Sequence, residues 1–185
     1  LACDSVLVDN RDAARKAVEI LIRNGHQNIG MITGPEDIYT ARERCHGYVM
    51  ALEEAGIKVN KDLIVHSDYT IRGGVAGAEG LLDAHPEMTA LFASNYELTM
   101  GTMIVLNERG ISIPEEMSVI GFDNREFARA LHPKLTIITQ PTEEIAAQVA
   151  ETMLSRLESG AQDAWKELYL QTEVMSGKSV KNLLI

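Results

Sequence analysis

TALFASNYELTMGTMIVLNERGISIPEEMSVIGFDN, residues 89–124, decides the fold. An apolar run of strand length, 89–93, stops at Ser94-Asn95, and residues 96–109 then carry apolar side chains at helical spacing up to Gly110. A second apolar run, 117–121, drives straight into an acid and an amide, Asp123 and Asn124. Strands separated by a whole helix are joined by a crossover and lie parallel.

The same cycle extends in both directions. Upstream, Ala14, Ala17, Val18, Leu21 and Ile22 form one helical face that starts after Asp9-Asn10 and stops at Gly25. NIGMITG gives a short strand ending at Gly34-Pro35. Thr40 with Glu43 reads as a capping box for a helix that turns Cys45, Tyr48, Val49, Leu52 and Ala55 toward the core and ends at Gly56. A strand over 63–66 and a helix over 71–82 follow. Downstream, LTIITQ is a strand, and 142–157 is an amphipathic helix with Ile145, Ala146, Val149, Met153 and Leu157 on one side. That helix need not belong to the same sheet. A polar joint, SGAQDAWKE, leads to one last strand over 168–174 and a polar tail. Alternation of this kind predicts the α/β class: a doubly wound parallel sheet with helices on both faces.

Composition limits the partners. The chain has 185 residues with 27 acidic and 17 basic side chains, a formal net charge of -10. A nucleic-acid surface needs clustered Lys and Arg, and the broken RERCH around Arg42 is the nearest approach to one. The chain by itself is expected not to hold DNA. Cys3 and Cys45 lack CxxC spacing and read as reduced thiols in cytosol. No apolar run reaches the length of a membrane span, and no leader-like segment opens the sequence. The chain opens abruptly on a strand, as a trimmed piece would.

In open parallel sheets ligands bind outside the carboxyl ends of the strands. Those ends read Val8-Asp9-Asn10, Gly34-Pro35 ahead of the helix bearing Arg42 and Arg44, Ser67-Asp68-Tyr69, Ser94-Asn95-Tyr96, Asp123-Asn124 and Thr139-Gln140. Asp and Asn begin turns and cap helices, so each pair alone signifies little. Their convergence with a guanidinium and an aromatic ring points to a small-molecule pocket. A carboxylate accepts from neighbouring hydroxyls, a guanidinium donates in a fixed fork, and amides do both. A polyhydroxylated or purine-like solute suits this set.

Catalysis fits poorly. His26, His46, His66, His85 and His132 are scattered, and only His66 lies near a strand end, so no nucleophile has an evident base. HExxH and clustered Cys/His sets are absent, and neither metal nor cofactor is expected. GVAGAEG, 74–80, is spaced GxxGxxG inside a helical pattern and reads as close helix packing. Asp123 with Asp68 could also suggest a magnesium-binding, phospho-accepting receiver domain. That reading wants a lysine at the last strand, where Thr139-Gln140 stands.

Asp9-Asn10, RNGHQNIGMITGP, TARERCHGYVMALEEAGI, SDYTIRGG, the stretch 89–124 and LTIITQP occur in this order, and with them the chain resembles the lactose/galactose repressor family of bacterial transcription regulators. The resemblance implies a periplasmic-binding-protein-like (type I) effector domain of two subdomains, with the ligand between them and an N-terminal headpiece for operator DNA. Residues 1–8 then resemble the last piece of the N-terminal subdomain, 9–139 the C-terminal one, 142–160 a crossover helix, and 165–185 a final strand and tail. The headpiece is expected to be missing. Residue by residue, Arg44, three before Gly47, matches the family's effector-contacting arginine, and Asn95 and Asp123 match its asparagine and aspartate. Tyr69 falls where a stacking Phe or Trp is common, Gln140 at one crossover, and Asp9 at another. The resemblance also implies a homodimer, here through Met100, Leu131 and their neighbours, a sugar or purine-like effector, and a cytoplasmic location. A periplasmic sugar receptor of an uptake system is the alternative on the same fold.

Overall fold

A computed structural model of the chain describes residues 3–159 and 164–185. The elements run β1 (Ser5–Val8), α1 (Asn10–Arg23), β2 (Ile29–Thr33), α2 (Tyr39–Glu54), a 3-10 turn (Lys61–Leu63), β3 (Ile64–His66), α3 (Ile71–Ala84), β4 (Ala90–Ala93) and α4 (Tyr96–Glu108). They continue with β5 (Ser118–Phe122), α5 (Arg125–Ala130), β6 (Thr136–Thr139), α6 (Thr142–Ser159), β7 (Glu167–Leu170) and β8 (Glu173–Met175).

A six-stranded sheet has the order β3-β2-β4-β5-β6-β8. Its first five strands are parallel, and β8 runs antiparallel to β6 with Ile138 opposite Val174. Alternate strand residues feed two cores. Ile29, Met31, Phe92, Ile120 and Phe122 pack with Ala14, Val18, Tyr48 and Leu52 of α1 and α2 on one face. Ile32, Leu91, Val119 and Ile137 pack with Ala78, Leu81, Leu98 and Leu106 of α3 and α4 on the other. This is the doubly wound arrangement that the alternation predicts.

The glycines of GVAGAEG lie within α3. A Cβ on Gly74 would sit 2.9 Å from the Leu98 backbone, so α3 and α4 approach almost backbone to backbone. Helix packing, not a phosphate loop, accounts for this motif.

Other expectations need correction. The strand expected over 168–174 is two: β7 pairs in parallel with β1 in a separate two-stranded sheet, and β8 joins the main sheet. Gln171-Thr172 carries the chain between them. The expected capping box is not formed: α2 begins at Tyr39 after Ile38, which makes no side-chain cap, and Glu43 instead takes Arg11 at 2.8 Å. Ala55 is exposed past the end of α2, while Ala41, Arg44 and Ala51 are buried. His26 is also buried; its Nδ1 is 2.9 Å from the Thr89 hydroxyl and its Nε2 3.1 Å from the Lys181 carbonyl, fastening the tail.

α6 touches β1 and carries Val149, Met153, Leu154 and Leu157 at 43%, 62%, 60% and 76% exposure, so its apolar side is bare. Trp165, Leu168 and Tyr169 next to it are exposed as well. The joint expected over 159–167 falls partly on 160–163, outside the described residues.

Candidate functional site

From β2 the chain steps outward to β3, then returns over β2 to β4, so the winding reverses between β2 and β4. At that point the sheet opens a crevice beyond its carboxyl ends. The Ser94 hydroxyl donates to Thr33 Oγ1 at 3.0 Å and holds the two strand ends together.

Arg44 occupies this crevice. It falls on the core-facing row of α2, between Ala41 and Tyr48, and is 4% exposed. Its Nε donates to Asn10 Oδ1 at 2.8 Å, and its Nη1 donates to the Ser94 carbonyl. The guanidinium carbon lies 3.7 Å from the centroid of the Phe122 ring. Burial lowers the Arg44 pKa from its ordinary value, while Tyr69 and Asp123 oppose that shift; the group stays cationic. Among the described residues Nη2 has no hydrogen-bond partner. A buried cation with Nε and Nη1 each committed to the protein and Nη2 open is fit to meet an acceptor on a ligand.

Asp123 is the acid of the set. Its backbone is left-handed, φ 61°, which turns the chain off β5, and its amide donates to the Ile138 carbonyl at 2.8 Å. Gln140 Nε2 donates to its Oδ1 at 2.8 Å. Burial pushes the Asp123 carboxyl up from its ordinary value; Gln140 and then Arg44 pull it back, and the charge of Glu97 adds to the rise. A carboxylate partly stripped of water and only partly compensated is prepared to accept from incoming hydroxyls.

Tyr69, also left-handed at φ 61°, lies flat on Gly34: a Cβ there would meet the ring at 2.2 Å. Its hydroxyl is 3.5 Å from Thr40 Oγ1. Asn95 accepts from the Leu98 amide at 2.8 Å as the cap of α4, and its Nδ2 donates to Glu97 Oε2 at 2.9 Å and, at 3.5 Å, to the Tyr69 carbonyl. Left-handed non-glycine backbone is costly and persists where surrounding structure over-determines it. Among the described residues it occurs at Tyr69, Asp123 and Asn124, all in the loops that follow strands at this end of the sheet.

Arg44, Tyr69, Asn95, Asp123 and Gln140 are therefore brought together. Asp9 makes no hydrogen bond to any of these five among the described residues; its carboxylate accepts from the Asp12 amide at 2.9 Å and caps α1. Asn124 similarly caps α5 through the Phe127 amide at 2.9 Å. Asn10 and Ser94 stand in the polar strand ends of the sequence without being among the candidate contacts, and nothing in the sequence singles out Phe122 or Glu97. Asn10 directly follows the acid that was chosen, and its burial was the missing signal. Met100 is half-buried on α4, and Leu131, which ends α5, packs against the core beneath α3 and α4.

A cavity of about 920 Å³ opens beside this cluster, lined by Asp123, Gln140, Tyr96, Arg125, Glu143 and Glu173 among others. Arg44, Tyr69 and Asn95 are outside its wall, and Arg125 there is spent on Glu173 at 2.6 Å. The Arg44 cluster, with its desolvated charges, is the better-built site. Among the described residues no group of three or more His, Cys, Asp or Glu is placed to hold a metal, and no helix is long and apolar enough to cross a membrane.

A doubly wound sheet whose winding reverses at a crevice of desolvated polar groups has the architecture of a small-molecule-binding α/β domain. Residues 18–180 match the periplasmic binding protein-like domain family, and the chain belongs to that family, among the effector-binding domains of lactose/galactose-repressor-type regulators. It is 33% identical over 172 residues to the HTH-type transcriptional regulator CelR of Thermobifida fusca, covering 93% of this chain and 50% of that protein. It is 35% identical to the HTH-type transcriptional repressor CytR of Escherichia coli strain K12, covering 85% of this chain and 46% of that one. The chain thus spans about half the length of the curated relatives it matches. A CelR–cellobiose complex is similar at a TM-score of 0.91 with 32% identity, over 96% of this chain and 54% of that chain. A LacI family regulator from Enterococcus faecium with bound ribose gives 0.86 with 30% identity, over 97% and 66%.

Proposed function

We propose that this chain is the effector-sensing part of a bacterial transcription regulator, binding a small neutral sugar at the Arg44–Asp123 crevice. The observation that carries the reading is Arg44 itself, buried and clamped through Nε and Nη1, with Nη2 left unpartnered among the described residues and the charges of Tyr69 and Asp123 acting on it. The relatives it matches are transcription regulators, which supports a sensor over an enzyme. The cellobiose and ribose in the similar structures support a saccharide over a purine.

In this reading β1, β7 and α6 belong to a second subdomain, and 9–139 with β8 and the tail to the first. The bare apolar side of α6 supports it, because an interior face requires a cover. Operator DNA is held by a headpiece outside this chain, in keeping with the net charge of -10. The protein works in the cytoplasm as a homodimer, with Met100 and the segment around Leu131 at the contact.

Calorimetric titration of the full-length protein with a panel including cellobiose and ribose tests the reading. Saturable binding of a saccharide, abolished by Arg44→Met, is expected. Binding that survives Arg44→Met, or a panel without any binder, overturns it.

A further inference from the structure

We infer that Asn10 is the positioning residue of this site, holding Arg44 in its binding orientation and tying it to the crossover from β1; the inference rests on the effector-binding reading above. Asn10 is 5% exposed and uses both ends of its carboxamide. Its Oδ1 accepts from Arg44 Nε at 2.8 Å, and its Nδ2 donates to the Val8 carbonyl at 2.9 Å. Val8 is the last residue of β1, paired with Leu170 of β7 in the separate two-stranded sheet.

A guanidinium is planar, so its orientation is fixed by few contacts. Stacking on Phe122 sets the plane of Arg44 but leaves rotation within that plane. The Ser94 carbonyl holds Nη1, and Asn10 on Nε supplies the second in-plane anchor. With both made, Nη2 points to one place only. The acceptor belongs to the residue that begins α1, so the same carboxamide registers any shift of β1 against the main sheet. Occupation of the crevice and the attitude of the second sheet are therefore read by one side chain.

The inference separates Asn10 from an ordinary buried amide by its effect on Arg44. In the full-length protein, the Arg44 Nε–H is observed by nitrogen-15 NMR without ligand. It should exchange slowly with water in the wild type, at least about tenfold faster in Asn10→Ala, and slowly again in Asn10→Asp, which keeps the acceptor and loses the bond to Val8. For whichever of cellobiose and ribose the wild type binds, Asn10→Ala should weaken affinity by roughly ten- to a hundredfold, the cost of a charge-assisted bond. Asn10→Asp should recover it to within roughly threefold.

Unchanged Nε–H exchange in Asn10→Ala, or fast exchange in a folded Asn10→Asp, overturns the inference, as does wild-type affinity in Asn10→Ala. If Asn10→Ala fails to melt cooperatively, Asn10→Asp decides alone. A wild type that binds no sugar would defeat the proposed ligand class, while the exchange measurement still decides whether Asn10 holds Arg44.

Discussion

The Arg44 guanidinium carbon and the Phe122 ring centroid are 3.7 Å apart, so the positive group of the site rests on the aromatic floor supplied by β5. Phe122→Leu keeps an apolar side chain but removes the ring face, and should cost about 1–3 kcal/mol of stability. Phe92→Leu, on β4 in the same core, is the control. Urea denaturation should show a loss in both variants, whereas calorimetry should show weakened effector binding only in Phe122→Leu. Equal affinities would separate the stack from the site.

Asp123→Asn tests the acid with opposite signs for binding and folding. Its carboxyl is held up by burial, so the unfolded chain gives up this proton first as pH rises. The stability it contributes is present below the ordinary carboxylate value and lost as pH climbs through the raised folded value. At pH 7 the variant should therefore melt no lower than the wild type, while effector affinity falls by roughly one to two decades. A marked drop in melting temperature would make Asp123 a structural residue.

Gly34→Ala places a methyl into the Tyr69 ring, since a Cβ would lie 2.2 Å from it. The expected cost is about 1–3 kcal/mol by denaturant unfolding. In a Tyr69→Ala background the same change should cost little, because nothing then occupies the space. Additive effects would refute the contact.

The legible part of this molecule was what repeats. Apolar runs ending in Gly34, Ser94 and Asp123 announce parallel strands, and their polar ends announce the crevice. LYLQTEV, 168–174, reads as one strand because its pattern continues with neither Gly nor Pro through Gln171-Thr172, the place where the chain changes sheets. Thr40 and Glu43 have capping-box spacing, yet tertiary pairing of Glu43 with Arg11 prevails over the local signal. Of the pair Asp9-Asn10 the sequence points to the acid as the ligand contact. Only burial separates the residue that caps a helix from the one that reaches Arg44.

Asp4 ties α6 to the two-stranded sheet. Arg156 donates to it at 2.6 and 2.7 Å and the Lys166 amide at 2.9 Å, which hold its carboxyl down at about 2. For a depressed acid the contribution is present above the ordinary carboxylate range and lost as pH falls through about 2. Hydrogen exchange, corrected for intrinsic rate, should quicken at residues 164–168 as pH drops from about 4 to 2. Asp4→Asn should show the faster exchange already at pH 7. Insensitivity to both would dismiss the tie.

The chain passes between its two sheets at Asp9, after β6, and between β7 and β8. These passages lie abreast, since the Asp9 amide donates to the Leu170 carbonyl and Thr139 stands opposite Glu173. Tethers set side by side resist sliding, which would stretch one while slackening another, more than they resist a swing about their common line. For the effector site proposed above, the expected coordinate of response is therefore that angle, like a strap hinge between two leaves.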